Sequence, residues 1–158
     1  MVGSILVGLC AMGRLYTSVF LGGYKNHTLI THGIYAVLRN PLYFFSLLGI
    51  IGVALMSNHV SIMIGLPLFF LFLYFGLIRR EQAFLQTTFG SKYENYKKDA
   101  AALIPNFSNY NAPDCITIHP RFVTNAFKDA IWWLAALPII ELSEYLQEIK
   151  IIPVFFVG

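Results

Sequence analysis

Apolar residues run along this chain in long blocks separated by short polar clusters. Val2 to Gly22 is the first block, and its 21 residues would rise about 31 Å as a helix, enough to cross a hydrocarbon core of roughly 30 Å. Arg14 interrupts it, followed by Tyr16, Thr17 and Ser18. An arginine there either pairs inside a bundle or snorkels at the interface, and the interfacial placement is the expected one. Gly3, Gly8 and Gly13 lack strict GxxxG spacing but permit close helix packing.

Gly22 to His27 breaks the helix, and Thr28 to Leu38 leads through Gly33 to the cluster Arg39-Asn40-Pro41-Leu42-Tyr43. Proline disfavours a helical conformation for the residue before it and suits the first turn of a new helix. Leu42 to Ser57 is therefore expected as a helix, short for a full span, with Val60 to Ile78 as its antiparallel partner, kinked at Pro67. The hairpin should return Arg79 to Gln82 to the level of Arg39 to Tyr43. The Phe69–Phe75 run is apolar on all sides and reads as lipid-facing.

Glu81 to Thr88 continues as an amphipathic helix stopped by Gly90, and Ser91 to Ala102 reads as another short helix. On it Tyr93 and Tyr96 share a face and are expected to anchor at the membrane surface. Ser108 to Pro120 is loop, and Asn125 to Ile140 is an apolar helix ending near Pro138. Beyond it Glu141, Glu144 and Glu148 form a solvated face, and 151–158 is too short to span.

Composition supports this pattern. Residues are 57% hydrophobic and only 12% charged, more apolar than a soluble domain of 158 residues can bury. The fold class that follows is all-α, a polytopic integral membrane bundle. Net charge is +3, with Lys25, Arg39, Arg79, Arg80, Lys92, Lys97 and Lys98 flanking the 42–78 hairpin and none at its Ser57-Asn58-His59 turn. The positive-inside rule makes the flanks cytoplasmic. No basic and aromatic surface suited to nucleic acid is present, and Cys10 and Cys115 offer neither a disulfide framework nor a metal spacing.

The polar clusters bring an anion partner (Arg39), a carboxylate (Glu81), two amides (Asn40, Gln82) and two aromatic faces (Tyr35, Tyr43) to one boundary. Such a set suits a ligand carrying both charge signs, a ring and hydroxyls. A Ser-His pair, a glycine-rich phosphate loop and a metal spacing are missing, so the site is built for positioning and electrostatics.

The order His27-Thr28-Leu29-Ile30, Gly33-x-Tyr35, Arg39-Asn40-Pro41-x-Tyr43, a hairpin, Glu81-Gln82, Phe89-Gly90-x-x-Tyr93-x-x-Tyr96 and Ile104-Pro105 resembles the isoprenylcysteine carboxyl methyltransferase and phospholipid methyltransferase family, in its prokaryotic form. The resemblance implies a multi-pass membrane enzyme that takes S-adenosylmethionine from the cytosol and methylates a hydrophobic or lipid acceptor. It carries cofactor contacts to His27, Thr28, Leu29, Ile30, Tyr35, Asn40, Pro41, Leu42, Tyr43 and Glu81, with Arg39 and Glu81 as positioning candidates. The family's usual histidine is Asn40 here, and the substrate-binding arginine of eukaryotic members falls at Leu77, so Arg79 or Arg80 is the expected substitute. The implied division is a methyltransferase core over 1–107 (helix 2–22, motif 39–43, hairpin 42–78, segment 81–107), with 108–158 as loop, apolar helix and tail of the same domain. The competing reading is a non-catalytic membrane binding or assembly protein that keeps the fold.

Overall fold

In the computed structural model, residues 1–22, 28–57, 59–102, 104–116 and 118–149 are described; the expectations for His27 and the tail 151–158 fall outside them. Among the described residues six α-helices follow one another: α1 (Val2–Leu21), α2 (Ile34–Val37), α3 (Pro41–Met56), α4 (Val60–Phe89), α5 (Ser91–Asp99) and α6 (Pro120–Glu148). A 3-10 turn at Phe107–Asn109 lies in the loop before α6. Among the described residues there is no strand, only a lone parallel bridge between Leu38 and Ala101. The all-α expectation holds, and α1 and α4 are long and apolar enough to cross a membrane.

Helices α1 and α3 form the closest pair because glycines let their backbones meet. A Cβ on Gly52 would lie 2.7 Å from the Gly3 carbonyl oxygen, a separation that real Cβ atoms do not adopt. Gly3 and Gly13 face α3 as expected of packing glycines, whereas Gly8 faces open space. Proline 41 opens α3 at its first position, as its fixed φ and missing N–H allow. Between α4 and α5 the chain turns at Gly90, whose φ of 52° is open to glycine with little strain. Helix α4 runs unbroken from the apolar hairpin arm into the amphipathic stretch that carries Glu81.

Three expectations are corrected. Arg14 does not snorkel: its Nε and Nη2 donate to the two Asp129 carboxylate oxygens at 2.8 Å each, joining α1 to α6. An arginine at mid-helix in a bilayer costs about 2.5–3.5 kcal/mol, and a bidentate carboxylate offsets that cost better than a long reach to the interface. Tyr93 and Tyr96 are not surface anchors. Both are buried, in a cluster with Ala100 against Leu29, Leu85 and Phe89. Finally, α6 does not stop near Pro138 but passes through it to Glu148. Pro138 is exposed, and a helix tolerates the one hydrogen bond lost there.

Candidate functional site

The segment between α2 and α3 is pinned from both sides. Leu38 N–H closes onto the Ile34 carbonyl at 3.0 Å, ending α2. Arg39 N–H donates to the Ala101 carbonyl at 2.8 Å, and Asn106 N–H donates to the Val37 carbonyl at 3.1 Å. The strand-like stretch after α5 thus straps residues 37–39 in place. Gly33, at φ 62°, lies against Phe20 and donates to the Asn111 carbonyl at 2.6 Å, which fixes the approach to α2.

A cavity of about 420 Å³ opens beside this strap. Thr28, Leu29, Ile30, Tyr35, Asn40, Pro41, Leu42, Tyr43 and Glu81 all line it, so every described residue expected at a cofactor site is brought to one place. Arg39 lines it too, and its Nε is buried without a hydrogen-bond partner among the described residues. A buried guanidinium nitrogen left unpaired is costly, and a cavity is where an incoming anion would satisfy it.

A second, larger space of about 870 Å³ runs between α3 and α4. Its walls are mostly apolar, from Phe44, Leu47, Phe70, Leu71, Phe72 and Phe75, with Arg79 and Gln82 at its polar end. Asn40 and Tyr43 line both spaces. The two arginines considered together from the sequence are separated here: Arg80 faces the smaller cavity and Arg79 the groove, where its guanidinium lies 4.3 Å over the Phe75 ring.

Tyr43 is the hinge of this arrangement. Its hydroxyl donates to Glu81 Oε2 at 2.7 Å, which confirms that the hairpin returns Glu81 to the level of the motif. Its ring meets Tyr74 edge to face at 4.9 Å, and Tyr74 stacks on Phe70 at 4.0 Å. Tyr96 reaches in from α5, its hydroxyl donating to the Tyr35 carbonyl at 2.8 Å. Burial pushes the Tyr96 and Tyr35 hydroxyls well above their ordinary range, so both stay protonated and Tyr96 remains a donor.

Sequence reading missed the part played by Tyr74 and Phe70, which lie four residues apart on α4 inside the run assigned to lipid. A lone tyrosine hydroxyl in a hydrocarbon run was the available signal. It also missed Tyr96 and Phe84 as cavity walls, and Asp129 as the partner of Arg14. No group of three or more His, Cys, Asp or Glu side chains able to hold a metal occurs among the described residues.

With this geometry in hand, comparison with known proteins gives a consistent family. The family model described as phospholipid methyltransferase matches residues 1–92. The chain is 32% identical over 139 residues to the cobalt-zinc-cadmium resistance protein CzcN of Cupriavidus metallidurans, covering 88% of this chain and 64% of that protein. To the nickel-cobalt-cadmium resistance protein NccN of Alcaligenes xylosoxydans xylosoxydans it is 27% identical over 154 residues, 98% of this chain and 72% of that one. A third relative, the protein-S-isoprenylcysteine O-methyltransferase of Schizosaccharomyces pombe, is 35% identical over 82 residues, 51% of this chain and 34% of its own length. The chain therefore spans less than two thirds of CzcN. No solved structure matches. The matched stretch holds α1, the motif at 39–43, the whole hairpin and Glu81, and on that ground the chain belongs to the phospholipid methyltransferase family, to which the isoprenylcysteine methyltransferases are related.

Proposed function

We propose that this chain is a multi-pass membrane methyltransferase that uses S-adenosylmethionine at the cavity beside the 37–39 strap, on the cytoplasmic side, and methylates a lipid-like acceptor held in the α3–α4 groove. The observation that carries this reading is that the smaller cavity, which holds Arg39, Arg80 and Glu81, and the apolar groove share Asn40 and Tyr43 as walls. Two reactants held on either side of one pair of residues are already close, and proximity with orientation is the main contribution a protein makes to a displacement.

The residues present fit the cofactor. The cavity volume falls in the roughly 300–1,000 Å³ range of small-molecule sites. Arg39, with its buried unpaired Nε, suits a carboxylate; Glu81 suits ribose hydroxyls or an ammonium; Leu29, Ile30 and Phe84 offer apolar contact to a ring. When bound, S-adenosylmethionine supplies an electrophilic methyl group on a sulfonium. Tyr43 holds Glu81 by its hydroxyl and so fixes the carboxylate's orientation. Phe70, Tyr74 and Phe75 line the groove with aromatic rings suited to an apolar acceptor, and Asn40 and Gln82 offer amide groups where the acceptor's polar end would lie.

Among the described residues that line the groove there is no carboxylate or imidazole to take a proton. That favours an acceptor already nucleophilic without deprotonation, such as a carboxylate, over a protonated amine. Arg79 at the polar end suits the same charge. The division of the chain fits this reading, with 1–107 carrying the site and 108–158 completing the same domain.

A second reading, a non-catalytic membrane module that keeps the fold, draws on the names of CzcN and NccN, which concern metal resistance. Transfer of a labelled methyl group from S-adenosylmethionine into total lipid extract and into prenylcysteine analogues, beside the Glu81→Ala variant, separates the two. Label that disappears in the variant supports the enzyme. Folded protein that neither binds the cofactor nor transfers label favours the module.

A further inference from the structure

Methyl transfer as proposed leaves Arg14 unused, yet among the described residues this side chain makes more directed contacts than any other. Nε and Nη2 engage Asp129 as a fork, both at 2.8 Å. Nη1 turns the other way, donating to Ser46 Oγ and, at a longer 3.4 Å, to the Leu42 carbonyl. Ser46 Oγ in turn donates to that same carbonyl at 2.7 Å. Leu42 is the second residue of α3, and it lines the smaller cavity beside Asn40 and Tyr43.

The carboxylate comes from α6, outside the 1–92 stretch that the family model matches. One turn further along α6, the Trp133 ring lies 5.8 Å from the Arg14 guanidinium carbon and against Gly49 of α3. Two α6 side chains therefore hold one guanidinium, and that guanidinium holds the first turn of α3. A pair needed only to cancel a charge has no reason to spend its third nitrogen on the turn that carries the motif.

We propose that Arg14 and Asp129 are a positioning pair: α6 fixes the guanidinium, and the guanidinium fixes the first turn of α3 so that Asn40 to Tyr43 stay where the two cavities meet. The consequence for ligand binding rests on the methyltransferase reading; the mechanical part does not. Asp129→Asn alone would confuse two effects, because it leaves a lone cation in the bundle. The double variant Arg14→Gln/Asp129→Asn removes both charges and also weakens the tether to Ser46 and Leu42. Ser46→Ala keeps the ion pair and removes only the tether's hydroxyl.

Full-length protein in detergent is compared by thermal melting, by amide exchange over residues 42–46 and by calorimetric titration with S-adenosylhomocysteine. Asp129→Asn is expected to melt lower, and the double variant to recover most of that loss. Even so, the double variant should exchange at least about tenfold faster over 42–46, because the turn opens locally while the fold holds. Its affinity for S-adenosylhomocysteine should fall about tenfold, and Ser46→Ala should show the same two changes to a smaller degree, with a lowering of melting smaller than that of Asp129→Asn. Wild-type exchange in a folded double variant overturns the proposal; if that variant does not fold, wild-type exchange in Ser46→Ala overturns it. Wild-type protein that binds no S-adenosylhomocysteine overturns the methyltransferase reading instead, and the exchange data still decide the positioning pair.

Discussion

Tyr43→Phe removes one hydroxyl from the place where the cavity and the groove meet. The bond lost is the 2.7 Å donation to Glu81 Oε2. Hydrogen bonds to ionised partners contribute about 1.5–3 kcal/mol net. Glu81 is exposed, so water replaces part of what is lost, and the lower end, about 1–1.5 kcal/mol, is the appropriate figure. Its effect falls on ligand affinity: a carboxylate no longer held in one rotamer must be ordered by the ligand itself, which at about 1.4 kcal/mol per decade weakens binding roughly tenfold. The ring remains, edge to face with Tyr74, so α3 and α4 stay packed and melting in detergent should move by no more than about 4 °C. Calorimetric titration of the purified variant with S-adenosylhomocysteine, beside the wild type, reads the difference directly. Affinity within about twofold of wild type in a folded variant refutes the idea that Tyr43 orients Glu81 for the ligand. A loss beyond about a thousandfold refutes it from the other side, because the hydroxyl would then touch the ligand itself.

Glu81→Ala removes the carboxylate entirely and should weaken S-adenosylhomocysteine binding by about a hundredfold or more, measured by the same titration, as expected for two lost charge-assisted bonds. Tyr96→Phe leaves the Tyr35 carbonyl without its donor in a buried place; a loss of about 1–3 kcal/mol of stability is expected by thermal melting, with binding weakened only several-fold. Because Arg79 and Arg80 line different spaces, Arg79→Ala should raise the KM for the acceptor with cofactor affinity unchanged, and Arg80→Ala should do the reverse, as steady-state kinetics and titration would separate. Gly52→Val forces α1 away from α3 and should cost about 1–3 kcal/mol, read as a lower melting temperature; an unchanged melt would show that the two backbones are not held together at Gly3.

Much of this arrangement was legible in the chain. Block hydrophobicity located α1, α3 and α4, and Pro41 and Gly90 marked where helices begin and end because their backbone limits act locally. The antiparallel return of α4 followed from the shortness of the turn near Ser57, and the 2.7 Å contact of Tyr43 with Glu81 bears it out. Contacts between distant segments were not legible. Arg14 and Asp129 are separated by 115 positions and carry no shared periodicity, so a membrane arginine could be read only by its own cost. Tyr93 and Tyr96 have the composition of interfacial anchors, and only the fold shows that α5 turns them inward onto Leu29 and Leu85. Tyr74 looked like one more aromatic in a lipid-facing run until Tyr43 was found against it.

The strap over residues 37–39 also sets an order in time. Its donors and acceptors come from Ala101 and Asn106, which a ribosome adds more than sixty residues after the motif they hold. Until then the Arg39 amide and the Val37 carbonyl must be satisfied by water or by transient partners. The α3–α4 hairpin can form first, but the strap over residues 37–39 closes only when the segment after α5 has emerged and folded back. A nascent chain cut off at residue 100 would therefore carry every described residue that lines the smaller cavity and still lack the bonds that hold residues 37–39.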